Sequence, residues 1–354
     1  KKENLVFLGE LINKKFSDQK IQIKNSKLFF NDKNNNTVFI YSINKFIAEY
    51  AKENGKNIID VDGEIFKIPL KLYWEKDLIR KHKILKANLK KINIDVLNKS
   101  IFEKDKYSYQ SEVSILSSKF KTNYEMAKDE INFNSEQSMI RNTPIKYNGN
   151  IYLKPLFMKA EVKSKTFDLY FILKNSFWFN EIIKAGFIYN ENFNGKISIK
   201  SDKILKNKLF EKISFIINLT EGNLDFNETT LINEKIGDLK ILRSSFFEKD
   251  DKIFLDAKAV LDIKELDAFY KKLLIPKSKR KDLKKIEFSF EFDTLNTNFK
   301  VNNINFYNLK NKKINSEKID DLVDNYADKR FEYLNSIGFK NFLKEIINTY
   351  FELG

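Results

Sequence analysis

Histidine is the side chain best suited to acid–base or metal chemistry at neutral pH, and this chain contains one, His82. Lys81 and Lys83 flank it in a charged stretch. A Ser–His–Asp triad or a histidine-bound metal needs further hydroxyl, carboxylate or imidazole groups, and the two residues that flank His82 supply none. The pattern therefore favours an exposed histidine in a turn.

Other signatures of catalysis are also missing from the sequence. The absence of cysteine excludes thiol catalysis, disulfides and cysteine-bound zinc. There is no Gly-x-Ser-x-Gly elbow, no phosphate-binding Gly-x-x-x-x-Gly-Lys loop and no dinucleotide-binding fingerprint. We therefore predict a protein that is not an enzyme and that carries no metal and no cofactor.

Two clusters of charge remain as candidate binding groups. Asp60, Asp62 and Glu64 suggest a cation site, although hairpin turns are commonly built from the same residues. The densest basic cluster links a predicted helix to a predicted strand and is either a solvated loop or a contact for lipid headgroups. Its members are Lys277, Lys279, Arg280 and Lys281.

The net charge of +15 raises the question of nucleic-acid binding. Only five of the 64 basic residues are arginine, the residue that contacts bases and phosphates in a bidentate manner. We interpret the abundance of lysine, asparagine, isoleucine and phenylalanine as the result of an A/T-rich coding sequence. We predict no nucleic-acid partner. A basic exterior would still attract anionic lipid headgroups, by about 1 kcal/mol per lysine near a charged surface.

The elements that position these groups are mostly strands, because apolar and polar residues alternate along much of the chain. In the clearest strand, residues 286–292, the alternate positions are one isoleucine and three phenylalanines. The pattern resumes in residues 299–306 with one extra residue. That extra residue predicts a β-bulge at Asn302-Asn303.

The same alternation predicts strands at residues 253–263, at residues 215–226 with a break at Glu221-Gly222, and at residues 66–74. Asp62-Gly63 predicts a hairpin turn before the last of these. Pro69, on the outward side of that strand, predicts a sheet edge or a bulge. Further strands are predicted at residues 20–30, 84–96, 107–120, 147–163, 167–173 and 196–200.

Helical spacing is confined to a few segments. They are residues 43–50, residues 175–186, residues 264–276 and residues 316–351, the last preceded by a polar linker at residues 310–313. The internal helices, at about 12 residues, are each about 18 Å long. Roughly 14 strands at about 4.8 Å spacing make a sheet about 65 Å wide. The internal helices are therefore too short to cover the apolar side of that sheet, which must close on itself or meet another molecule.

These features predict a mainly β fold. We expect a long curled antiparallel sheet, forming a groove or a partly closed sandwich or barrel, with a few short helices and a C-terminal amphipathic helix. We divide the chain into a β-rich domain, residues 1–310, and a linker with the C-terminal helix, residues 311–354. No run of about 18 apolar residues is present. The first residue is a lysine rather than a methionine, which we interpret as a fragment or a processed form.

A recurring pattern of strand segments occupies the second half of the chain. At Leu219–Phe226 a strand is followed by Glu-Gly, an apolar residue, Asp and an apolar residue, and an Ile-Gly follows at Ile236-Gly237. Related segments are residues 230–237, 239–242, 251–263, 269–280 and 284–290. Through these segments residues 215–307, about a quarter of the chain, resemble the C-terminal region of the bacterial AsmA-like family, the relatives of TamB and YhdP.

The resemblance implies a periplasmic β-domain held in the inner membrane by an N-terminal segment that this chain lacks. The wider family is associated with envelope assembly and with phospholipid transport along an apolar groove, although this chain is too short to bridge two membranes alone. We therefore predict a cell-envelope protein that binds or conducts phospholipid. Its expected partners are phospholipid or fatty acyl chains, a membrane surface and other envelope proteins. The alternative is a structural or scaffold β-protein that carries no lipid.

The candidates for the lipid groove are inward side chains of the predicted strands, and each of them has ordinary core as its alternative role. They are Phe66, Ile68, Leu70, Leu72, Phe215, Ile217, Leu219, Leu255, Leu261, Ile286, Phe288, Phe290 and Phe292. Each CH₂ group removed from water contributes about 0.8 kcal/mol, so one long tail would gain on the order of 10 kcal/mol on such a face.

Overall fold

Strands dominate the structure, a computed structural model, and this confirms the predicted fold class of an antiparallel β-protein with few helices. The structure describes residues 14–31, 37–65, 67–103, 106–115, 117–169, 171, 183, 191, 193–250, 252–295, 298–314, 329–330 and 336–351. The chain divides into two compact units. The N-terminal unit is Lys1–Phe157 with Ala185–Asn192, and the C-terminal unit is Met158–Lys184 with Phe193–Gly354.

Ten strands follow one another in the N-terminal unit, and the first nine each pair with the next in antiparallel orientation. They are β1 (Ile21–Asn31), β2 (Thr37–Ala51), β3 (Lys56–Ile65), β4 (Ile68–Asp77), β5 (Lys83–Leu89), β6 (Ile94–Glu103), β7 (Lys106–Ile115), β8 (Ser118–Met126), β9 (Glu130–Ile140) and β10 (Thr143–Leu153). A 3₁₀ turn at Lys90–Ile92 joins β5 to β6. Several predicted single strands, among them residues 84–96 and 107–120, are therefore hairpins.

The tight turns of this meander contain few glycines. Lys67, Ser117 and Arg141 occupy two-residue turns with φ of 59°, 63° and 54°. Non-glycine residues adopt this left-handed conformation at some cost, so the sequence carries no Asn-Gly or Asp-Gly signal at these positions. For this reason the apolar alternation predicts continuous strands where the chain in fact turns back.

The rest of the chain continues with short and long strands and two described helices. They are β11 (Leu156–Ser164), β12 (Asn194–Ser201), β13 (Lys212–Thr220), β14 (Asn223–Asp225), β15 (Thr230–Asn233), β16 (Gly237–Lys249), β17 (Lys252–Ile263), α1 (Leu266–Lys272), β18 (Lys285–Asp293), β19 (Asn298–Tyr307), β20 (Lys313–Ile314), β21 (Lys329–Arg330) and α2 (Ser336–Phe351). Strands β15 to β19 pair in sequence order, and β20 and β21 both pair with β19.

The core of the C-terminal unit contains side chains from β16 to β19 and from both helices. Leu261, Phe269 and Ile346 are each fully buried in it. Alternating apolar residues supply the sheet side of this core, and residues at helical spacing in α1 and α2 supply the other. The division of the chain therefore differs from the predicted boundary at residue 310, because α2 packs in the core of the C-terminal unit.

Several predicted details of the C-terminal unit are confirmed. The 253–263 and 286–292 strands are β17 and β18, and the 264–276 helix is α1. Asn302 is the extra residue in β19, because Ser289 pairs with Asn303 while Phe290 pairs with Val301. The bulge predicted from the apolar spacing is therefore present.

The predicted helix at residues 43–50 is wrong, because these residues belong to β2. The register with β3 shifts between Ile43 and Lys45. This bulge moves the apolar positions from Tyr41 and Ile43 to Phe46 and Ala48, which places apolar residues three and four apart. A bulged strand thus imitates helical spacing in the sequence.

The hairpin predicted at Asp62-Gly63 is also wrong, since both residues lie within β3, whose last pair with β4 is Ile65 with Ile68. A Cβ atom on Gly63 would lie 2.2 Å from the Ser42 carbonyl oxygen. Glycine is required here because the bulged backbone of β2 approaches β3 closely, not because the chain turns.

The predicted C-terminal helix is shorter than residues 316–351. Lys329–Arg330 form a strand paired with β19, and the described helix begins at Ser336. The strand predicted at residues 167–173 is reduced to one bridge between Phe167 and Ile204 among the described residues. Most of the predicted 175–186 helix lies outside the described residues. No described helix is both long and apolar enough to cross a bilayer.

Candidate functional site

The sheet of the N-terminal unit has one apolar and one polar face, because side chains of each strand alternate between the two. The strand register places apolar side chains of eight successive strands directly opposite one another. We call this set the apolar row. Its members, from β1 to β8, are Ile23, Phe46, Val61, Leu72, Ala87, Val96, Val113 and Phe120.

The apolar row is only partly shielded from solvent. Val61 is buried at 6% exposure, the row members from Leu72 to Phe120 are half-buried, and Ile23 at the β1 end is 42% exposed. Two further apolar side chains of β1 on the same face, Ile21 and Leu28, are 49% and 40% exposed. Contiguous apolar surface that is not fully shielded often marks an interaction site.

A small buried cluster that includes one member of the apolar row stabilises the face at β2 to β4. Tyr41, Val61 and Leu70 form it. The Tyr41 hydroxyl donates a hydrogen bond to the Leu70 carbonyl oxygen at 3.2 Å. Burial, with a smaller contribution from the Asp62 carboxylate, raises the pKa of Tyr41 to about 12. The phenol therefore stays neutral and serves as a structural donor.

A second set of residues crosses the same face parallel to the apolar row. It is displaced by four residues toward the same edge in every strand, which means four positions later in β2 and four positions earlier in β3. We call it the polar row, and in the register it runs through Tyr50, Asn57, Lys76, Lys83, Ser100, Tyr109 and Tyr124. Four residues at about 3.3 Å each place the two rows about 13 Å apart. The face therefore changes from apolar to basic and aromatic along the strand direction.

The segment before β1 contacts the polar row at its β2–β4 end. The Asn57 amide donates to the Lys14 carbonyl oxygen at 2.6 Å and accepts from the Phe16 backbone N–H at 2.9 Å. The Phe16 ring lies 6.2 Å from the Trp74 ring, and the Lys15 ammonium lies 4.3 Å from the centre of the Tyr50 ring. These contacts provide hydrogen-bond partners for the fully buried side chain of Asn57. They also place the backbone of residues 14–16 against this end of the polar row.

On β9 hydroxyl groups replace apolar side chains on this face, and the face is apolar again at Ile145 of β10, which lies opposite Ser138 and is 2% exposed. Ser135 and Ser138 are each 1% exposed, and their hydroxyls are 2.6 Å apart. The β8–β9 register shifts nearby, and the Ser138 hydroxyl accepts from the Lys121 backbone N–H at 2.8 Å. Serine thus replaces a ladder hydrogen bond that the irregular pairing removes.

The opposite face of the same strands is polar and contains a cavity of about 560 Å³. Its charged lining consists of Asp60, Lys71, Lys86, Asp95, Glu112 and Lys119. Lys119 forms an ion pair with Glu112, and Lys71 forms one with Asp62 at 3.5 Å. Because the lysines and carboxylates of this lining are equal in number, the cavity offers no net charge to a ligand. The structure reveals no group of potential metal ligands among its described residues.

The predicted groove residues of the first strand set lie on the apolar face. Ile68 and Leu70 are buried at 6% and 8% exposure, and Leu72 belongs to the apolar row. Phe66 lies outside the described residues. Pro69 points to the polar face, beyond the stretch of β4 that pairs with β5, as its sheet-edge signal predicted.

The predicted groove residues of the C-terminal unit are largely core. Leu261 and Ile286 are fully buried, and Phe288 and Phe292 are 3% and 4% exposed. Phe215, Leu255 and Phe290 are partly buried and pack against the same cluster. Ile217 and Leu219 are half-buried on β13. The internal helices were expected to be too short to cover this face, and the C-terminal helix contributes to its cover, since Phe342 of α2 contacts Phe288.

The residues of the basic cluster at 277–281 differ in their exposure and in their contacts. Lys277 and Lys279 are exposed in a 3₁₀ turn. Arg280 instead donates to the Ile275 carbonyl oxygen at 3.2 and 3.1 Å and to the Asp267 carboxylate at 2.8 Å. Its side chain is 14% exposed, so it holds the loop after α1. A headgroup contact by Arg280 would have to replace these bonds.

Reasoning from the sequence missed most of the apolar row and all of the polar row. Val96, Val113 and Phe120 are predicted only as parts of strands, Lys83 is noted only as a neighbour of His82, and the sequence gives no prediction for Lys76. The alternation within each strand was visible in the sequence. Which residues stand opposite one another depends on turn lengths and bulges, which the sequence did not reveal.

Models of known protein families, curated proteins and solved structures yield no match to this chain.

Proposed function

We propose that this protein binds phospholipid through its acyl chains on the apolar face of the N-terminal unit, as part of cell-envelope biogenesis. The observation that carries the proposal is the apolar row, in register across β1 to β8 and left half-exposed by the described residues. The resemblance of residues 215–307 to the AsmA-like family supports the same function, and the periplasmic location follows from that resemblance alone.

The dimensions and chemistry of the row suit a hydrocarbon chain. Eight strands at about 4.8 Å spacing give a row about 34 Å long. Each CH₂ that leaves water on this surface contributes about 0.8 kcal/mol, so ten such groups contribute on the order of 8 kcal/mol. The side chains along it are aliphatic or aromatic and offer no hydrogen bonds, so the binding would depend on chain length rather than on a particular headgroup.

The second candidate function is a scaffold in envelope assembly that carries no lipid. The filled core of the C-terminal unit favours it, because that unit buries its apolar face against its own helices. A scaffold and a lipid carrier differ in one respect that can be measured. Only the carrier retains lipid after gentle purification.

The proposal is tested by placing a charge on either face of β7. Val113 is half-buried on the apolar row, and its neighbour Ser114 is exposed on the polar face. Val113→Asp should lower the affinity for a fluorescent fatty acid at least about tenfold, while Ser114→Asp should leave it unchanged. Native mass spectrometry should show phospholipid on the unmodified protein and on Ser114→Asp.

Circular dichroism on both variants distinguishes a blocked surface from an unfolded protein. Ala87→Trp, which fills the row with an apolar ring, provides a second blocking variant without a buried charge. If the unmodified chain carries no phospholipid and binds no fluorescent fatty acid, the carrier function is rejected and the scaffold function stands.

A further inference from the structure

The turn between β4 and β5 projects an isoleucine into solvent. Ile79 is 81% exposed, the largest value for a large apolar side chain in the described part of the chain. The next two residues, Arg80 and Lys81, are exposed as well. A single exposed apolar side chain is ordinary on a protein surface, so the surroundings of Ile79 decide what it can bind.

Hydrogen bonds hold this turn in one conformation. The Asp77 carboxylate accepts from the backbone N–H of Ile79 at 2.9 Å and from that of Arg80 at 2.8 Å. The hydrogen bond from Arg80, together with that from Ile79, lowers the pKa of the Asp77 carboxyl. The Leu78 N–H donates to the Gly55 carbonyl oxygen of the neighbouring turn at 3.2 Å. An ordered turn loses little conformational entropy when its tip binds a surface.

Cations outnumber carboxylates around Ile79. Residues 77–83 contain three cations, Arg80, Lys81 and Lys83, and the one carboxylate of Asp77, which gives a net charge of +2 with the histidine neutral. The described residues of the turns on either side, at 52–55 and 103–106, contribute one lysine and one glutamate each and leave this balance unchanged. The charge of the turn therefore complements an anionic surface.

Two of these lysines lie over aromatic rings of the next hairpin. The Lys81 ammonium lies 4.5 Å from the centre of the Phe102 ring, and the Lys83 ammonium lies 5.2 Å from that of Tyr107. Phe102 and Tyr107 pair across β6 and β7, with ring centroids 4.8 Å apart. Aromatic rings and lysines with apolar stems are typical of the boundary between water and hydrocarbon in a bilayer.

We propose that the β4–β5 turn docks on an anionic bilayer, with Ile79 inserted among the acyl chains and with Arg80 and Lys81 at the lipid phosphates. The inference goes beyond the proposed function, because a protein can bind fatty acyl chains from solution without contacting a bilayer. Lys83, at the start of β5, is four residues from Ala87 of the apolar row, which is about 13 Å along the strand. Docking of the turn therefore brings the apolar row close to the bilayer surface.

Site-specific labelling tests the insertion directly, because the chain contains no cysteine. Ile79→Cys, labelled with nitrobenzoxadiazole, should gain fluorescence and shift to shorter wavelength on phosphatidylglycerol vesicles but not on phosphatidylcholine vesicles. Met126→Cys is the matched control, since Met126 is 54% exposed at the end of β8, on the same edge of the sheet. Residues 125–130 hold three carboxylates and one lysine, so the label there should not respond.

Flotation of unlabelled protein with phosphatidylglycerol vesicles measures the affinity. Ile79→Ser should lower it at least about tenfold, because the apolar contact is lost. Arg80→Gln with Lys81→Gln should lower it about 30-fold, since each cation near an anionic surface contributes about a factor of five. Lys90→Gln with Lys91→Gln removes equal charge at the opposite end of β5 and should have a much smaller effect. Circular dichroism checks that each variant is folded.

The outcomes separate this inference from the proposed function. Equal binding to both kinds of vesicle, an unresponsive label in Ile79→Cys, or equal losses in the two double variants would overturn the docking turn. Val113→Asp, which blocks the apolar row, should still float with phosphatidylglycerol vesicles. If Val113→Asp abolishes flotation and Ile79→Ser does not, the bilayer contact lies on the apolar row and the inference is rejected. Flotation without any fatty-acid binding by the unmodified protein supports the docking turn and rejects only the proposed function.

Discussion

The rings of Phe288 on β18 and Phe342 on α2 meet edge to face, with centroids 6.2 Å apart and planes inclined at 73°. Phe299 on β19 contacts Phe342 in a similar geometry at 6.4 Å and 81°. Through these contacts the C-terminal helix covers β18, in which three of the nine residues are phenylalanine. The strand that most strongly suggested a lipid groove in the sequence is therefore the interior of the C-terminal unit.

This relationship predicts a large loss of stability when either ring is removed. Phe288→Ala and Phe342→Ala, at sites 3% and 2% exposed, should each lower the free energy of unfolding by about 3–5 kcal/mol. The double variant should lose less than the sum, by about 0.5–1.5 kcal/mol, because the two rings share one contact. Urea denaturation followed by circular dichroism measures both quantities.

Phe247→Ala provides the control for this cycle. Phe247 is half-buried and stacks on Phe254 at 5.5 Å, so its removal should cost less. If Phe288→Ala leaves stability unchanged and instead weakens lipid binding, Phe288 lines a groove and is not core.

Gly63 should not tolerate a larger side chain, although its φ is not unusual. A Cβ atom there would meet the Ser42 carbonyl oxygen at 2.2 Å and the Tyr41 ring at 2.9 Å. Gly63→Ala should therefore lower the free energy of unfolding by about 1–3 kcal/mol, as overpacking does. Thermal melting of the variant measures the loss.

Asp62→Ala serves as the comparison, because it removes only an exposed ion pair with Lys71 and should cost at most about 1 kcal/mol. Equal stability of Gly63→Ala and the unmodified chain would show that β2 and β3 are not in close contact at the bulge.

Low pH should lower the free energy of unfolding of the C-terminal unit, because the carboxylate of Glu287 becomes protonated. Burial raises the pKa of this carboxyl, but hydrogen bonds from Lys285, Lys258 and Tyr307 outweigh it, so that the pKa lies below its usual value of 4.5. A depressed folded pKa means that the stabilisation is present above about pH 4.5 and is lost as the pH falls through the folded value. Glu287→Gln should cost about 1–3 kcal/mol at neutral pH and flatten the pH dependence below pH 5.

Urea denaturation at a series of pH values measures this effect. Glu291→Gln is the matched control, since Glu291 lies on the same strand and accepts from Asn302 at 3.2 Å. It should keep the acid sensitivity of the unmodified protein. An identical loss of stability in acid for Glu287→Gln and the unmodified chain would remove Glu287 as its cause.

Much of the fold was predictable, because it depends on short-range patterns. Alternation revealed β17 and β18, the Asn302 bulge and the helix before Pro276, each from a few neighbouring residues. The candidate site was less predictable. Ile68, Leu70 and Leu72 were identified on the apolar face, but the remaining candidates of the C-terminal unit are mostly core, since the position of α2 depends on contacts distant in sequence.

The sequence by itself determined that this chain is a β-protein in which each strand has an apolar and a polar side. Side-chain period and β-propensity are local properties, so they are readable without a partner strand. Only the tertiary structure decided which apolar sides remain partly exposed to solvent and which are covered by other elements of the chain. Turn lengths and the bulge opposite Gly63 set the register of β1 to β8, and that register aligns Lys76 with Lys83 and the apolar row from Ile23 to Phe120. The packing of α2 covers the apolar side of β18 and β19.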